Sequence, residues 1–311
     1  MQNLTVVANF ILVGFQTNRE LEIFQFLIFL IMYLLTLMGN IIIITLVSVD
    51  TRLHMPMYIF LGHFSLMEIF YSSCILPKLM SISLTTVKTI SFIGCFAQFY
   101  FFFSLGVAEL LLLTLMSVDR YLAICNPLHY SAIINNRTCL QIGLGCWSSG
   151  LIFSLPPTFL ISQLDFCGSI VINHFFCDGP PLLKISCTDT SLIELIHFLL
   201  AICIVLSSFL ITFMSYFTII KAILRIPSAT GRKKTFSTCS SHLSIATIYY
   251  GTLIFTYVRP KAINDIELNK VASMFYTSVT PMINPMVYSL RNTEVRNAAR
   301  KAMFGVVTYD E

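Results

Sequence analysis

Apolar residues run along the chain in seven long stretches that are separated by shorter polar segments. Each stretch is near or beyond the roughly 20 residues that an α-helix needs to cross the hydrocarbon core of a membrane. The pattern therefore predicts an all-α membrane protein, a bundle of seven transmembrane helices that forms a single domain over residues 1–311. The stretches cover residues 24–48, 57–81, 93–124, 139–161, 192–224, 232–258 and 268–290, each to within a few positions.

The segments outside the bundle are short. Residues 1–23 form a polar N-terminal segment, and residues 291–311 form a tail. Within the tail, residues 293–304 alternate apolar and basic positions in a way that predicts a short amphipathic eighth helix lying along the membrane surface. Its apolar positions are Val295, Ala298, Ala299, Ala302 and Met303.

Composition and charge add an orientation. The 311 residues are 56% hydrophobic and 11% charged, which is too apolar for a soluble domain of this size. One side of the predicted bundle carries 12 of the 19 Lys and Arg residues, so the N-terminus is predicted outside and the C-terminus in the cytoplasm. No basic region or cleavage site precedes the first stretch, so no cleaved signal peptide is predicted. The sequon at Asn3 then lies outside and predicts glycosylation.

Four of the ten cysteines fall on the predicted outer side. An even number of cysteines in an oxidising compartment is typical of two disulfides. Spacing alone leaves three pairings open. The four are Cys95, Cys167, Cys177 and Cys187.

Two carboxylates, Glu68 and Glu109, fall inside predicted helices. An acidic side chain within the bilayer needs a partner or a proton. The pair could be protonated and hydrogen bonded, or it could form a shared sodium or proton site. The sequence leaves both interpretations open.

The third stretch has one helical face that runs its full length. Its positions recur at spacings of three and four, and about 1.5 Å per residue places the two ends of this face roughly 27 Å apart. The face ends in the pair Asp119-Arg120, a costly position for charges that indicates either an interfacial anchor or a functional site. Its members are Phe102, Gly106, Glu109, Leu113, Met116 and Arg120.

Sequence signatures of enzymes are missing. The chain has no phosphate-binding loop, no zinc-binding helix motif, no Cys-x-x-Cys and no nucleophile elbow, so the protein is predicted not to be an enzyme. A polytopic membrane transporter is the alternative, but transporters often show inverted repeats, and no internal repeat stands out here.

Four strings at or near the ends of the apolar stretches carry a family resemblance. They are Leu-His-Met-Pro-Met-Tyr at 53–58, Asp-Arg-Tyr through Cys-Asn-Pro-Leu-His-Tyr at 119–130, Arg-Lys-Lys-Thr-Phe-Ser-Thr-Cys-Ser-Ser-His at 232–242, and the Asn-Pro-x-x-Tyr segment within 281–292. Together they resemble vertebrate odorant receptors of the tetrapod type, a branch of the rhodopsin-like G-protein-coupled receptors. The resemblance covers nearly the whole chain. Two departures are Glu68, where the family usually has Asp, and Thr235, where Ala is more common.

The resemblance implies an activity and its partners. A small, mostly apolar volatile odorant would bind in the outer half of the bundle, in a plasma-membrane protein surrounded by lipid. The receptor would activate a heterotrimeric G protein of the stimulatory olfactory type and raise cyclic AMP, and no nucleic acid is implied. The resemblance also implies the disulfides Cys95–Cys177 and Cys167–Cys187. It favours sodium between Glu68 and Glu109 and implies no other cofactor.

Helical phase and family position together predict the residues of the site. Phe102 and Phe103 stand where amine receptors carry an acid, and Lys270 lies only at the outer start of the last stretch, so amines and retinal are not predicted ligands. The predicted ligand-binding residues are Phe102, Phe103, Gly106, Val107, Leu200, Ala201, Ile204, Tyr250, Leu253, Ile254, Tyr257, Met274 and Thr277. The predicted residues of the switch and of G-protein coupling are Asp119, Arg120, Tyr121, Tyr216, Lys233, Lys234, His242, Asn284, Pro285 and Tyr288.

Overall fold

The computed structural model of the protein describes residues 8–15, 17–167, 170–257 and 266–304. Helices dominate these residues. They are α1 Arg19–Val49, α2 Pro56–Leu84, α3 Phe92–Cys125, α4 Pro127–Ile133, α5 Asn136–Ser162, α6 Gly179–Lys184, α7 Ser191–Leu224, α8 Ala229–Tyr257, α9 Ile266–Met274, α10 Thr280–Arg291 and α11 Thr293–Phe304, with a 3₁₀ turn at Thr51–Leu53 and a π-helical turn at Phe275–Val279.

Each predicted apolar stretch corresponds to a long helical segment: α1, α2, α3, α5, α7, α8, and the continuous run from α9 through the π-helical turn to α10. In the described residues, five helices are long and apolar enough by composition to cross a membrane: α1, α2, α3, α5 and α7. The sixth segment, α8, is less apolar because it begins with a basic and hydroxyl-rich stretch. α11 occupies the position predicted for the eighth helix, with Val295 and Ala298 buried.

Side-chain caps set several helix starts. Asn18 accepts a hydrogen bond from the Leu21 amide at the start of α1, Ser91 accepts one from Gly94 at α3, and Asn135 accepts one from Thr138 at α5. Such caps satisfy amides that have no partner within the helix. Asn292 caps α11 in the same way, because its side-chain oxygen accepts from the amides of Glu294 and Val295.

α3 is the central helix of the bundle. In its most apolar 18-residue window, 67% of the residues are buried, compared with 11% for α7. Large apolar side chains on α1, α5 and α7 are exposed on the outside of the bundle, as a lipid environment requires. The helix that carries the Asp119-Arg120 pair therefore contacts most of the others.

A small sheet covers one end of the bundle, which we call the sheet end. It contains β1 Asn9–Leu12, β2 Thr89–Ser91 and β3 Val171–Ile172 in the order β2-β1-β3. β1 pairs antiparallel with β2, which leads into α3, and parallel with β3 in the long segment between α5 and α7. The N-terminal segment, predicted only as a polar leader, thus contributes the middle strand.

Candidate functional site

A cavity lies in the half of the bundle nearer the sheet end. Its empty volume is about 540 Å³, including the part that is open to the surroundings, and its walls are almost entirely apolar or aromatic. Five lining residues come from α3, three from α7 and two from α8, with one each from α2 and the π-helical turn. They are Tyr71, Phe102, Phe103, Gly106, Val107, Leu110, Ala201, Ile204, Val205, Tyr249, Leu253 and Tyr276.

Seven of the predicted ligand-binding residues line this cavity: Phe102, Phe103, Gly106, Val107, Ala201, Ile204 and Leu253. Two of the lining residues that the prediction missed follow from helical spacing, because Leu110 is four residues after Gly106 and Val205 is four after Ala201. No sequence signal indicated Tyr71 on α2.

The other predicted ligand-binding residues whose side chains the structure describes do not line this cavity. Tyr250 lies one position beyond the lining residue Tyr249, and its hydroxyl points instead to the polar cluster described next. Ile254 is exposed on the outside of α8. Thr277 is fully buried and donates to the carbonyl of Ser273, one turn earlier.

Two further predicted residues, Leu200 and Met274, are half-buried but do not line the cavity. Met274 packs against the apolar core at the sheet end, and the π-helical turn that follows it brings Tyr276 to the cavity instead. This turn ends two residues before Pro281, whose ring nitrogen cannot donate to the Thr277 carbonyl. Wider turns of this kind shift which side chains face inward. The side chain of Tyr257 lies outside the described residues.

A cluster of hydroxyl groups joins three helices around Tyr250. The Tyr250 hydroxyl lies 2.5 Å from Ser208 Oγ, 3.0 Å from Thr212 Oγ1 and 3.4 Å from Thr114 Oγ1. Thr114 Oγ1 and Ser208 Oγ are also 2.5 Å apart. Hydrogen bonds therefore connect α3, α7 and α8. On α3 this cluster lies two or more helical turns beyond the cavity residue Gly106.

The segment between α5 and α7 closes over the cavity. The disulfide Cys95–Cys177 holds it to α3, and Cys167–Cys187 closes a loop within it; both pairs are those that the resemblance implied. The Gln98 side chain accepts from the Cys177 amide at 3.0 Å. The Phe176 ring contacts the cavity residue Phe102, with 4.9 Å between ring centroids. These contacts form a lid of aromatic side chains.

Two titratable groups in this lid have shifted pKa values. Burial, with a contribution from the charge of Lys270, lowers the pKa of His174 to about 3, so its imidazole is neutral. Burial raises the pKa of Asp178 to about 6, although its carboxylate accepts a hydrogen bond from the Gly179 amide. At mildly acidic pH, between about 4 and 6, the lid therefore carries less charge than its sequence indicates.

Glu68 and Glu109 are both buried in the middle of the bundle. The side-chain nitrogen of Asn284 donates to Glu68 Oε1. Within the described residues, Glu68 Oε2, Glu109 Oε1 and Asn284 Oδ1 have no hydrogen-bond partner. The hydroxyl of the cavity residue Tyr249 donates to the Gly106 carbonyl at 3.1 Å and also contacts the Glu109 carboxyl group. Unpaired oxygen atoms of this kind suit a proton or a hard cation.

A second polar site lies at the opposite end of α3, which we call the Arg120 end. Arg120 Nη2 donates to Asp119 Oδ2 at 2.6 Å, and the Tyr130 hydroxyl donates to Asp119 Oδ1 at 2.8 Å. Both charged side chains are largely buried. Asp119 therefore has a partner on each oxygen, which is what a buried carboxylate requires.

Other predicted switch residues lie on α7, α8 and α10. The Tyr216 hydroxyl of α7 lies 2.5 Å from His242 Nδ1 of α8, and their rings stack. Tyr288 is buried, and in the described part of the chain its hydroxyl has no partner. Pro285 packs against Gly39 of α1.

Three predicted coupling residues lie apart from these contacts or cannot be placed. Tyr121 is half-buried beside the small apolar cluster around Tyr216, whereas Lys233 is exposed. The side chain of Lys234 and the whole of Asn3 lie outside the described residues.

Comparisons with known proteins agree with this architecture. Residues 29–305 match the model of the family described as olfactory receptor. Human olfactory receptor 6F1 is 48% identical over 303 residues, which cover 97% of this chain and 98% of that protein. Human olfactory receptor 11L1 is 47% identical, covering 97% and 94%, and mouse olfactory receptor 5G9 is 47% identical, covering 96% and 95%.

Among solved structures, squid rhodopsin matches with a TM-score of 0.74 at 17% identity, covering 96% of this chain and 85% of that chain. A likeness at this level of identity shows the fold alone. The apolar helices and the fold make the chain a multi-pass membrane protein, and its relatives are receptors rather than enzymes. By the family model and by relatives that match almost its whole length, the chain belongs to the olfactory receptor family.

Proposed function

We propose that the protein is an odorant receptor of the plasma membrane. It binds small, mostly apolar volatile molecules in the cavity near the sheet end and activates a stimulatory olfactory-type G protein at the Arg120 end, which raises cyclic AMP. The sheet end and the N-terminus face the outside, and the tail lies in the cytoplasm. The excess of basic residues on the Arg120 side supports this orientation.

One observation carries the proposal: a single buried helix, α3, contributes five walls of the cavity and also the Asp119-Arg120 pair. Along a helix, Phe102 and Arg120 are roughly 27 Å apart at about 1.5 Å per residue. An apolar cavity closed by an aromatic lid suits recognition by shape and apolar area. The same rigid element connects that cavity to a charged site at the other end.

The physical basis of signalling is a shift between two arrangements of the helices. α8 contributes Tyr249 and Leu253 to the cavity, Tyr250 to the hydroxyl cluster and His242 to the contact with Tyr216. A ligand that packs better when α8 is displaced at the Arg120 end favours that displacement. Arg120, Tyr216, Tyr288 and the basic start of α8 are then available to the G protein.

The buried carboxylates take part in the same shift between helix arrangements. A sodium ion held by the oxygen atoms of Glu68, Glu109 and Asn284 would offset the charge of one carboxylate and would fix the spacing of α2, α3 and α10. Tyr249 contacts both the cavity and Glu109, so it connects occupancy of the cavity with this site.

The cavity is tested by filling it. A Cβ at Gly106 would meet only Tyr71, at 3.8 Å, so a side chain added there extends into the cavity without displacing backbone. Gly106→Phe should abolish cyclic AMP responses to a diverse odorant panel while the receptor still reaches the cell surface. The matched control is Gly251→Phe in α8, where a Cβ meets no atom within 4 Å.

The measurement is cyclic AMP in cells that also express trafficking helpers, with surface receptor counted in the same cells. Responses that survive Gly106→Phe would place the ligand elsewhere. Ligand-dependent uptake without cyclic AMP would instead indicate a transporter.

A further inference from the structure

Polar groups on the cavity wall are already engaged. Tyr249 donates to the Gly106 carbonyl at 3.1 Å, and Tyr276 donates to Ser273 Oγ at 3.0 Å. The remaining walls are apolar side chains together with the ring of Tyr71. A ligand with a polar atom would therefore need another partner in order to be recognised through that atom.

His197 is placed to be that partner. It precedes the cavity residues Ala201 and Ile204 by four and seven positions, so all three lie on one face of α7. Its imidazole ring lies against the ring of the cavity residue Phe103, with 5.4 Å between centroids. His197 thus sits one helical turn nearer the lid than the first α7 residue that lines the cavity.

The other side of the imidazole faces the lid. A Cβ at Gly179 would lie 3.5 Å from His197 Nε2 and 3.6 Å from the Phe99 ring. Because Gly179 has no side chain, space remains between the lid and the imidazole nitrogen. Gly179 directly follows Cys177 and Asp178, so the Cys95–Cys177 disulfide fixes this space relative to α3.

The imidazole nitrogen is buried but unpaired. Nε2 has almost no exposure, and in the described ranges of the chain it has no hydrogen-bond partner. Leaving a buried polar group unpaired costs about 1–3 kcal/mol, and an apolar ring would fill the same volume without that cost. Packing alone therefore does not explain a histidine at this position.

The neighbours of His197 indicate the chemistry of what it would bind. The imidazole ring contacts the ring of Phe103 and lies close to Gly179 and Phe99. These three residues are uncharged. A neutral imidazole forms one hydrogen bond of ordinary strength, as donor or acceptor, at each nitrogen. Such a site suits the oxygen atom of an uncharged molecule better than a carboxylate or an amine.

We propose that His197 is the polar anchor of the cavity and hydrogen bonds the oxygen atom of neutral oxygenated ligands such as ketones, aldehydes, esters and alcohols. The hydrocarbon part of the ligand packs against Phe102, Phe103 and Gly106. This inference rests on the proposed function, because it assigns the ligand class of the same cavity.

The test uses pairs of compounds that differ only at the oxygen. Each pair consists of a ketone of about 6–12 carbons and the alkene in which =CH₂ replaces =O. One such pair is 2-octanone and 2-methyl-1-octene. Dose–response curves for cyclic AMP are measured for the wild type, His197→Phe and His197→Gln at matched surface levels. His197→Phe keeps an aromatic ring, and His197→Gln restores a donor and an acceptor.

The wild type should respond to ketones at concentrations at least tenfold lower than to their alkenes, since about 1.4 kcal/mol corresponds to a factor of ten. His197→Phe should remove that preference by weakening the ketone response alone, and His197→Gln should recover part of it. Equal potency of ketone and alkene on the wild type would overturn the inference, as would equal losses for both compounds in His197→Phe.

The Gly106→Phe variant separates this inference from the proposed function. If the cavity is the binding site, Gly106→Phe abolishes the responses to ketones and alkenes alike. Responses that persist in Gly106→Phe refute the site itself. A wild-type receptor that responds to alkenes but to none of the ketones retains its cavity function and refutes only the role of His197.

Discussion

Single residues decide how closely the helices of this bundle approach one another. Gly150 on α5 faces α3 so closely that an added Cβ would lie 2.3 Å from the Ser104 carbonyl oxygen, a contact that real structures do not contain. Gly145 lies on the same helix, but a Cβ there would meet no atom within 4 Å. Substituting alanine at each position therefore distinguishes the effect of helix propensity from the effect of contact between helices.

Gly150→Ala should destabilise the receptor, because the backbones of α3 and α5 must move apart. Overpacking of this kind costs about 1–3 kcal/mol, which should lower both the thermal midpoint in detergent and the surface level. Gly145→Ala should leave both unchanged or slightly raised, since Ala favours helix over Gly. Equal effects of the two changes would contradict the close approach of α3 and α5.

Acidic pH should affect the lid through Asp178. Its pKa is raised from 3.8 to about 6, so the folded lid holds a proton more tightly than the unfolded chain does between those pH values. The contribution of Asp178 to stability is therefore best below pH 4 and declines as the pH rises to about 6. Asp178→Asn removes this dependence.

The measurement is the thermal midpoint of purified wild type and Asp178→Asn at pH 5 and pH 7. Because both proteins share all other titrating groups, the gain of the variant over the wild type should be larger at pH 7 than at pH 5. A gain that does not change with pH would show that Asp178 does not titrate in this range.

At the level of single residues, the sequence predicts part of the cavity wall. Helical phase located seven cavity residues on α3, α7 and α8, because spacing along one helix is regular. On α8 the prediction named Tyr250, whereas Tyr249 lines the cavity, and adjacent residues of a helix point about 100° apart. His197 lacked a signal of its own, because a free imidazole nitrogen is a property of the packed structure.

At the scale of elements, the N-terminal strand joins parts that are distant in the chain. Beyond β1, Gly14 adopts φ 64°, a conformation that favours glycine, and its carbonyl accepts from Lys270 Nζ at 2.9 Å. Lys270 is fully buried at the start of the last membrane segment. The N-terminal segment therefore connects β2, β3 and α9 across the sheet end.

Lys270→Met should release this connection while keeping the length of the side chain. Loss of a hydrogen bond from a charged group costs about 1.5–3 kcal/mol, and residues 9–14 should exchange amide hydrogens faster. The control is Glu267→Gln, which changes the other partner of Lys270, a largely exposed carboxylate, and leaves the hydrogen bond to Gly14 in place. Unchanged exchange at residues 9–14 in Lys270→Met would show that the tie to Gly14 does not hold the strand.

Helices and the strand differ in how far the sequence predicts them. Apolar length and capping side chains are local, so the predicted stretches agree with the helix bounds to within a few residues. β1 is four residues long, and its partners lie about 80 and 160 positions away in the register of Ile11 with Thr89 and Val171. No local pattern encodes such a pairing.

At the scale of the whole molecule, the proposed signalling depends on two sites at opposite ends of one helix. Arg120→Ala should abolish the cyclic AMP response while leaving surface delivery largely intact, because it removes the charge at the Arg120 end and leaves the cavity unchanged. Arg52→Ala is the matched control. It also removes an arginine paired with an aspartate near that end, but the Arg52–Asp50 pair is partly exposed.

Surface receptor, odorant response and a direct readout of ligand binding are measured together. Arg120→Ala should still bind ligand, and Arg52→Ala should still signal. A full response from a surface-expressed Arg120→Ala receptor would contradict the proposed role of this end of α3.

The middle strand at the sheet end also sets the order in which the fold can be completed. Ile11 is synthesised early, but its partner Val171 comes after four of the long helices, and Lys270 later still. The sheet end above the cavity therefore closes only when most of the polypeptide has been inserted. An incompletely synthesised chain would leave its apolar interior exposed to water, and cellular quality control could recognise it by that exposed surface.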